Sequence, residues 1–162
     1  MNNAVVQSTI DDCKNDLQKI EGFITYLGSS SPLIPYLTKY ALIKSCGTIE
    51  QAYKAIIADY YCNLSPQLSD FINHHVREAS SNPRYENIKT AVKRFDGAKH
   101  SAFDTAVKGL PDYNRLLASL STLNEARNNF AHGYPMGVSF ASIKAYFEDS
   151  VLIIEELDKC FV

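Results

Sequence analysis

Apolar residues recur every three or four positions along almost the whole chain, and sustained two-residue alternation is absent. Val6, Ile10, Leu17, Ile20, Ile24 and Leu27 form one stripe and predict a helix from Val5 to Leu27, ended by the GSSSP stretch at residues 28–32. A second helix is predicted from Pro35 to Cys62, with Leu37, Ala41, Ile49, Tyr53, Ile56, Ile57 and Tyr60 facing inward. Gly47 lies inside it. A glycine there costs about 1 kcal/mol against alanine, or lets another helix come close. Ser65 and Pro66 read as an N-cap and first helical residue, opening a third helix that runs to Ala79. Ser80, Ser81, Asn82 and Pro83 break the pattern, and shorter helices follow over Arg84–Phe95 and Ala98–Val107. Pro111 opens a long helix that reaches His132, and GYPMGVS is a loop. Ser139 or Ser142 caps the last helix, which carries Tyr146, Phe147, Val151, Ile154 and Leu157. No repeat, linker or change of composition divides the chain. The pattern predicts one all-α domain over residues 1–162, a helical bundle of two long hairpins with short helices inserted between them.

Composition agrees with this picture. A chain of 162 residues, 46% hydrophobic and 21% charged, can build a sizeable core and is neither disordered nor membrane-like in make-up. No apolar run approaches the ~18–20 residues of a membrane span. The N-terminus MNNAVVQSTIDDCKNDL has no basic segment followed by a continuous apolar one, so we read no signal peptide and expect a cytoplasmic protein. Cys13, Cys46, Cys62 and Cys160 form no CxxC pair and read as buried reduced thiols.

The formal net charge of −2 makes the surface as a whole no trap for nucleic acid. The distribution is uneven, however. Residues 84–108 carry six basic side chains against three acidic ones, a local excess of three positive charges. One reading is a patch that meets RNA phosphates through Lys89, Lys93, Arg94, Lys99 and His100. The other is a solvated helix face. No Walker loop, GxGxxG, HExxH or nucleophile elbow is present. His74 and His75 are adjacent, point to different sides of a helix and make a poor metal pair. Nothing in the sequence calls for a cofactor or a metal.

The chemistry concentrates in LNEARNNFAHG, Leu123 to Gly133. The stripe Tyr113, Leu116, Leu117, Leu120 and Leu123 leads to position 127, where a leucine would continue it. The residue there is Arg127, and the stripe resumes with Phe130 and Ala131. An arginine on a packing seam must find a partner or open onto a cleft, because an unpaired buried charge is very costly. His132 precedes Gly133, the residue type best suited to leave a helix through the left-handed region, so His132 is expected on the last helical residue. Arg127 and His132 lie about 140° apart on an ideal helix. They converge if the arginine bends over, if the helix end unwinds, or if a second subunit supplies the other half. Asn128 shares a face with His132. Arginine neutralises phosphate oxygens and histidine shuttles protons, a pairing suited to a phosphodiester. A structural reading stands beside it: Arg127 pairs with a neighbouring helix and His132 caps its own.

The run Arg127-Asn128-Asn129-Phe130-Ala131-His132-Gly133 resembles the R-N-x-x-A-H-G form of the R-x4–6-H motif of the HEPN superfamily. The stretch ALIKSCGTIEQAYKAIIADYYC, Ala41 to Cys62, is similar to the helix that precedes the motif in the RiboL-PSP-HEPN-like branch. The resemblance implies an α-helical domain that dimerises, and a metal-independent endoribonuclease in the active members. Two motif copies would face each other across a cleft at the dimer axis, the substrate 2′-hydroxyl acting as nucleophile. Arg127 and His132 match the catalytic pair, and Asn128 the polar residue after the arginine. It also implies a toxin–antitoxin, abortive-infection or antiviral setting, with an antitoxin or other defence protein as partner. Tyr134 completes R-x4-H-x-Y, similar to HEPN toxins whose tyrosine is adenylylated; the alternative is a loop tyrosine packed on the hairpin. Glu50 is expected either to pair with Arg127 from the neighbouring helix or to lie solvated on the surface. Two functions follow as expectations: a homodimeric endoribonuclease, or a non-catalytic dimer that binds nucleotide, RNA or protein.

Overall fold

A computed structural model describes residues 1–28 and 30–162. Among the described residues there are seven α-helices and no strand: α1 (Ala4–Leu27), α2 (Ile34–Leu64), α3 (Ser69–Ile72), α4 (Tyr85–Phe95), α5 (Gly97–Lys108), α6 (Tyr113–Ala131) and α7 (Phe140–Lys159). Ser29, within the break expected between the first two helices, lies outside the described residues.

On α1, Val6, Ile10, Cys13, Leu17 and Ile20 alternate four- and three-residue steps and are all buried. Such a seam packs against one neighbour, here α2. Helix α2 is buried over a wider arc, from Ala41 and Leu42 to Ile56, Ile57 and Ala58, because it touches α1, α6 and α7 together. Helix α7 pairs with both α2 and α6. The four long helices are therefore two hairpins closed on each other, as the periodicity predicts, and the short helices branch from between them.

Polar side chains fix the ends of this frame. The Asn3 side chain accepts from the Val6 N–H at 3.1 Å and caps α1. Asp158, buried near the end of α7, accepts from the backbone N–H groups of Asn2 and Asn3, the latter at 3.1 Å. Asp149 on α7 accepts from the Ser119 hydroxyl at 2.6 Å and from Arg115, which pins α6 to α7. Ser139, rather than Ser142, caps α7, its Oγ accepting from the Ser142 N–H at 3.1 Å.

The chain departs from expectation in several places. The third helix is not continuous. A 3-10 turn at Pro66–Leu68 leads into the four-residue α3, and a π turn occupies Asn73–Arg77. Ser65 makes no side-chain cap, and only Ile72 and Val76 are buried, so little apolar area enforces a regular helix. Long-range side-chain bonds also tie the segment down: Lys54 donates to the Ala79 carbonyl, and Arg77 reaches Asp59. Helix α6 begins at Tyr113, two residues after Pro111, because Asp112 takes the left-handed conformation with φ 60°. A Cβ on Gly47 would meet nothing within 4 Å, so close helix approach is not its role. Cys13 and Cys46 are buried free thiols, whereas Cys62 and Cys160 are only half-buried. No helix among the described residues is long and apolar enough to cross a membrane.

Candidate active site at the end of α6

Leu116, Leu120, Leu123 and Ala126 bury one side of α6. The Cys46 thiol donates to the Leu123 carbonyl at 3.4 Å, so α2 meets α6 one turn before the motif. Burial pushes that thiol up to about 12, which keeps it protonated. Beyond this contact the core seam passes through Ala126, and Arg127 is displaced to its half-buried edge. Phe130 is half-buried behind it, whereas Ala131, expected on the resumed stripe, is exposed.

The Arg127 guanidinium donates through Nη1 to the side-chain oxygens of Asn82 and Asn128, each at 3.3 Å. Both acceptors are neutral, and no carboxylate pairs with Arg127 among the described residues. Of the two settings expected for Glu50, the ion pair with Arg127 does not form. Glu50 instead binds Lys54 at 2.5 Å, one turn along the same helix. The physical reason is burial: Lys54 is 6% exposed, so its ammonium needs the nearby carboxylate more than a half-buried guanidinium does.

Two residues near the motif were not legible as functional in the sequence. Asn124, 1% exposed, donates to the Pro83 carbonyl at 3.1 Å and to the Leu120 carbonyl at 2.8 Å. It clamps the linker before α4 onto α6, and thereby presents Asn82 to Arg127. The available signal was a polar residue set one step beside Leu123 on the buried face. Asn82 itself gave no signal beyond turn propensity.

The exit from α6 places His132. Gly133 has φ +79°; its N–H donates to the Phe130 carbonyl at 3.1 Å, and the Tyr134 N–H donates to the Asn129 carbonyl at 2.8 Å. These two bonds are a Schellman motif, in which the residue at Gly133 must adopt the left-handed conformation. His132 is thus the C-cap, one residue beyond the last helical position, and its side chain is exposed. Tyr134 is 67% exposed and does not pack on the hairpin. No hydrogen bond joins Arg127 to His132 among the described residues. The helix thus holds a guanidinium with uncharged partners and an exposed imidazole on different sides of one helix end. The first can take up phosphate oxygens, and the second can exchange a proton with a bound molecule.

The basic segment is divided by its own ion pairs. Lys89 binds Asp104 at 2.9 Å and lies over the Tyr85 ring, and Lys108 binds the same carboxylate at 2.5 Å. Hydrogen bonds from Lys108 and then Lys89 hold the Asp104 carboxyl well below the usual range. Lys99 donates to the Cys160 carbonyl at 2.6 Å and sits over Tyr60, docking α5 on the end of α7. His100 is half-buried. Lys93 and Arg94 alone of the five candidates remain exposed, and neither forms an ion pair among the described residues. His74 and His75 are both exposed, His74 facing Glu78 at 3.1 Å. No group of three His, Cys, Asp or Glu side chains gathers as a metal site among the described residues.

No curated protein and no solved structure matches the chain. The sequence profile of the RiboL-PSP-HEPN family matches residues 8–162, a span that takes in both hairpins, the inserted helices and the R-x4-H run. With that coverage, and with an all-helical fold of the corresponding kind, the chain belongs to the RiboL-PSP-HEPN family.

Proposed function

We propose that the protein is a metal-independent endoribonuclease that works as a homodimer, within a toxin–antitoxin, abortive-infection or other antiviral system. The observation that carries this reading is the state of Arg127. Its guanidinium is held by two amide oxygens and keeps its whole charge available, beside an exposed His132 on the same helix end. The substrate's 2′-hydroxyl attacks the adjacent phosphorus, and the 5′-oxygen of the next nucleotide leaves. His132 moves a proton in this exchange, Arg127 stabilises the charge on the phosphorane-like transition state, and Asn128 orients the arginine. The separation of Arg127 from His132 around the helix favours a site completed across two subunits.

The test is cleavage of labelled total RNA or transfer RNA by purified wild type and His132→Ala, with EDTA present. Cleavage by wild type alone is expected. Equal cleavage by both proteins removes His132 from the mechanism. Absence of cleavage by either, with a dimer established by light scattering, moves the function to a binding module.

A further inference from the structure

Among the described residues a cleft of about 610 Å³ lies between α2, the π turn and α4. Its size falls within the ~300–1,000 Å³ usual for small-molecule sites. Phe71 and His75 form one wall, their ring centroids 4.2 Å apart. Phe71 is 58% exposed, which leaves ring surface open to a stacking partner beside His75. Phe95 lies on the opposite side, held by stacking on Tyr61 at 4.7 Å. Arg94 is at the rim, exposed and without an ion pair among the described residues. Asn82 and Asn87 bring amides to the same rim, the Asn87 Nδ2 donating to the Asn82 backbone carbonyl at 3.0 Å and leaving its side-chain oxygen free to accept.

Aromatic faces, amide edges and one unneutralised arginine are what a nucleotide requires: a surface for stacking the base, polar partners for its edge and a cation for its phosphate. The position of Asn82 decides the relation to the motif. Asn82 lines this cleft, and its Oδ1 accepts from Arg127. A base in the cleft would therefore share Asn82 with the motif arginine. We propose that the cleft binds one nucleotide of a single RNA strand, its base on Phe71 and His75 and its phosphate at Arg94. The assignment to a strand rests on the ribonuclease reading; the nucleotide chemistry of the cleft does not.

The experiment measures binding separately from cleavage. A short, fluorescently labelled 2′-O-methyl oligoribonucleotide, which lacks the attacking hydroxyl, is titrated with wild type, Arg94→Ala and Phe71→Ala, and adenosine monophosphate is titrated in parallel. Arg94 and Phe71 are exposed, so both variants should fold as wild type does, which circular dichroism checks. The expected result is a roughly tenfold loss of oligonucleotide affinity in each, the scale of one stacked base or one phosphate contact. Wild-type affinity in Arg94→Ala and Phe71→Ala overturns the cleft assignment, whether or not wild type cleaves RNA. Binding of the mononucleotide without the oligonucleotide overturns the strand as its source. Affinity lost in both cleft variants while wild type cleaves nothing upholds the cleft and removes the nuclease reading alone.

Discussion

Arg127 differs from Arg77 and Arg115 in what it touches. Arg77 meets the Asp59 carboxylate and Arg115 meets Asp149, so both charges are neutralised within the chain. Arg127 meets Asn82 and Asn128 only, and amides orient a guanidinium without cancelling its charge. Shape should therefore matter as much as charge. Arg127→Lys keeps a cation but loses the planar fork that spans two acceptors. We expect cleavage to fall by at least tenfold while the urea midpoint stays nearly unchanged, since the two lost bonds are half-exposed; both are read on the same preparation. At this scale the sequence was half legible. An arginine on the predicted stripe drew attention to the candidate site, although the buried seam passes through Ala126 and leaves Arg127 at its edge. Its partner was not visible, because Asn82 lies 45 residues away and reaches Arg127 only through the clamp that Asn124 makes on Pro83. Glu50 failed for a related reason: i to i+4 geometry offered it Lys54, whose burial no local pattern shows.

Helix ends separate what local chemistry decides from what tertiary contact decides. Gly133 was legible as a terminator, and it ends α6 with the two bonds that set where His132 points. Gly133→Ala forces an alanine into the left-handed region and should cost about 1 kcal/mol. The expected signature is a slightly lower melting temperature with a larger proportional loss of cleavage, because the turn that aims His132 relaxes. The third helix was not legible, since its irregularity comes from bonds that Lys54 and Arg77 make to distant groups. The α4–α5 hairpin offers a pH test. Asp104 has its folded-state carboxyl lowered, first by Lys108 and then by Lys89, with burial opposing. A lowered carboxyl stabilises the fold at pH values above its unfolded value, near 4, and the contribution is lost as pH falls toward the folded value. Asp104→Asn should therefore melt below wild type at pH 7, and the gap should narrow progressively as pH falls below 4. A gap that is constant with pH would assign the loss to packing instead.

The whole molecule places the motif at one end of the bundle. Because the two hairpins run up and down, the exit of α6 lies beside the start of α2, and Lys39 sits 5.5 Å from the Tyr36 ring and 5.6 Å from the Phe130 ring. The same end carries the molecule's largest concentration of exposed aromatics: Phe23 at 58%, Tyr26 at 88%, Tyr36 at 67% and Tyr40 at 53%. Periodicity predicted the hairpins, yet it left these rings unexplained, since a stripe of tyrosines at helical spacing reads as core until neighbours are known. Large aromatics left in water beside the candidate site fit the proposal that a second copy covers this surface. That arrangement would bring the Arg127 of one subunit toward the His132 of the other. The proposed dimer is tested at this surface. Tyr36→Glu together with Tyr40→Glu puts two charges where the partner would press, while both side chains are exposed in the monomer, so folding should survive. Sedimentation is expected to show a dimer for wild type and a folded monomer for the double variant, with cleavage lost in proportion to the monomer formed. A variant that stays dimeric and active would move the interface elsewhere, and Arg127 and His132 would then have to meet within one chain, by rearrangement of the exit that Gly133 now fixes.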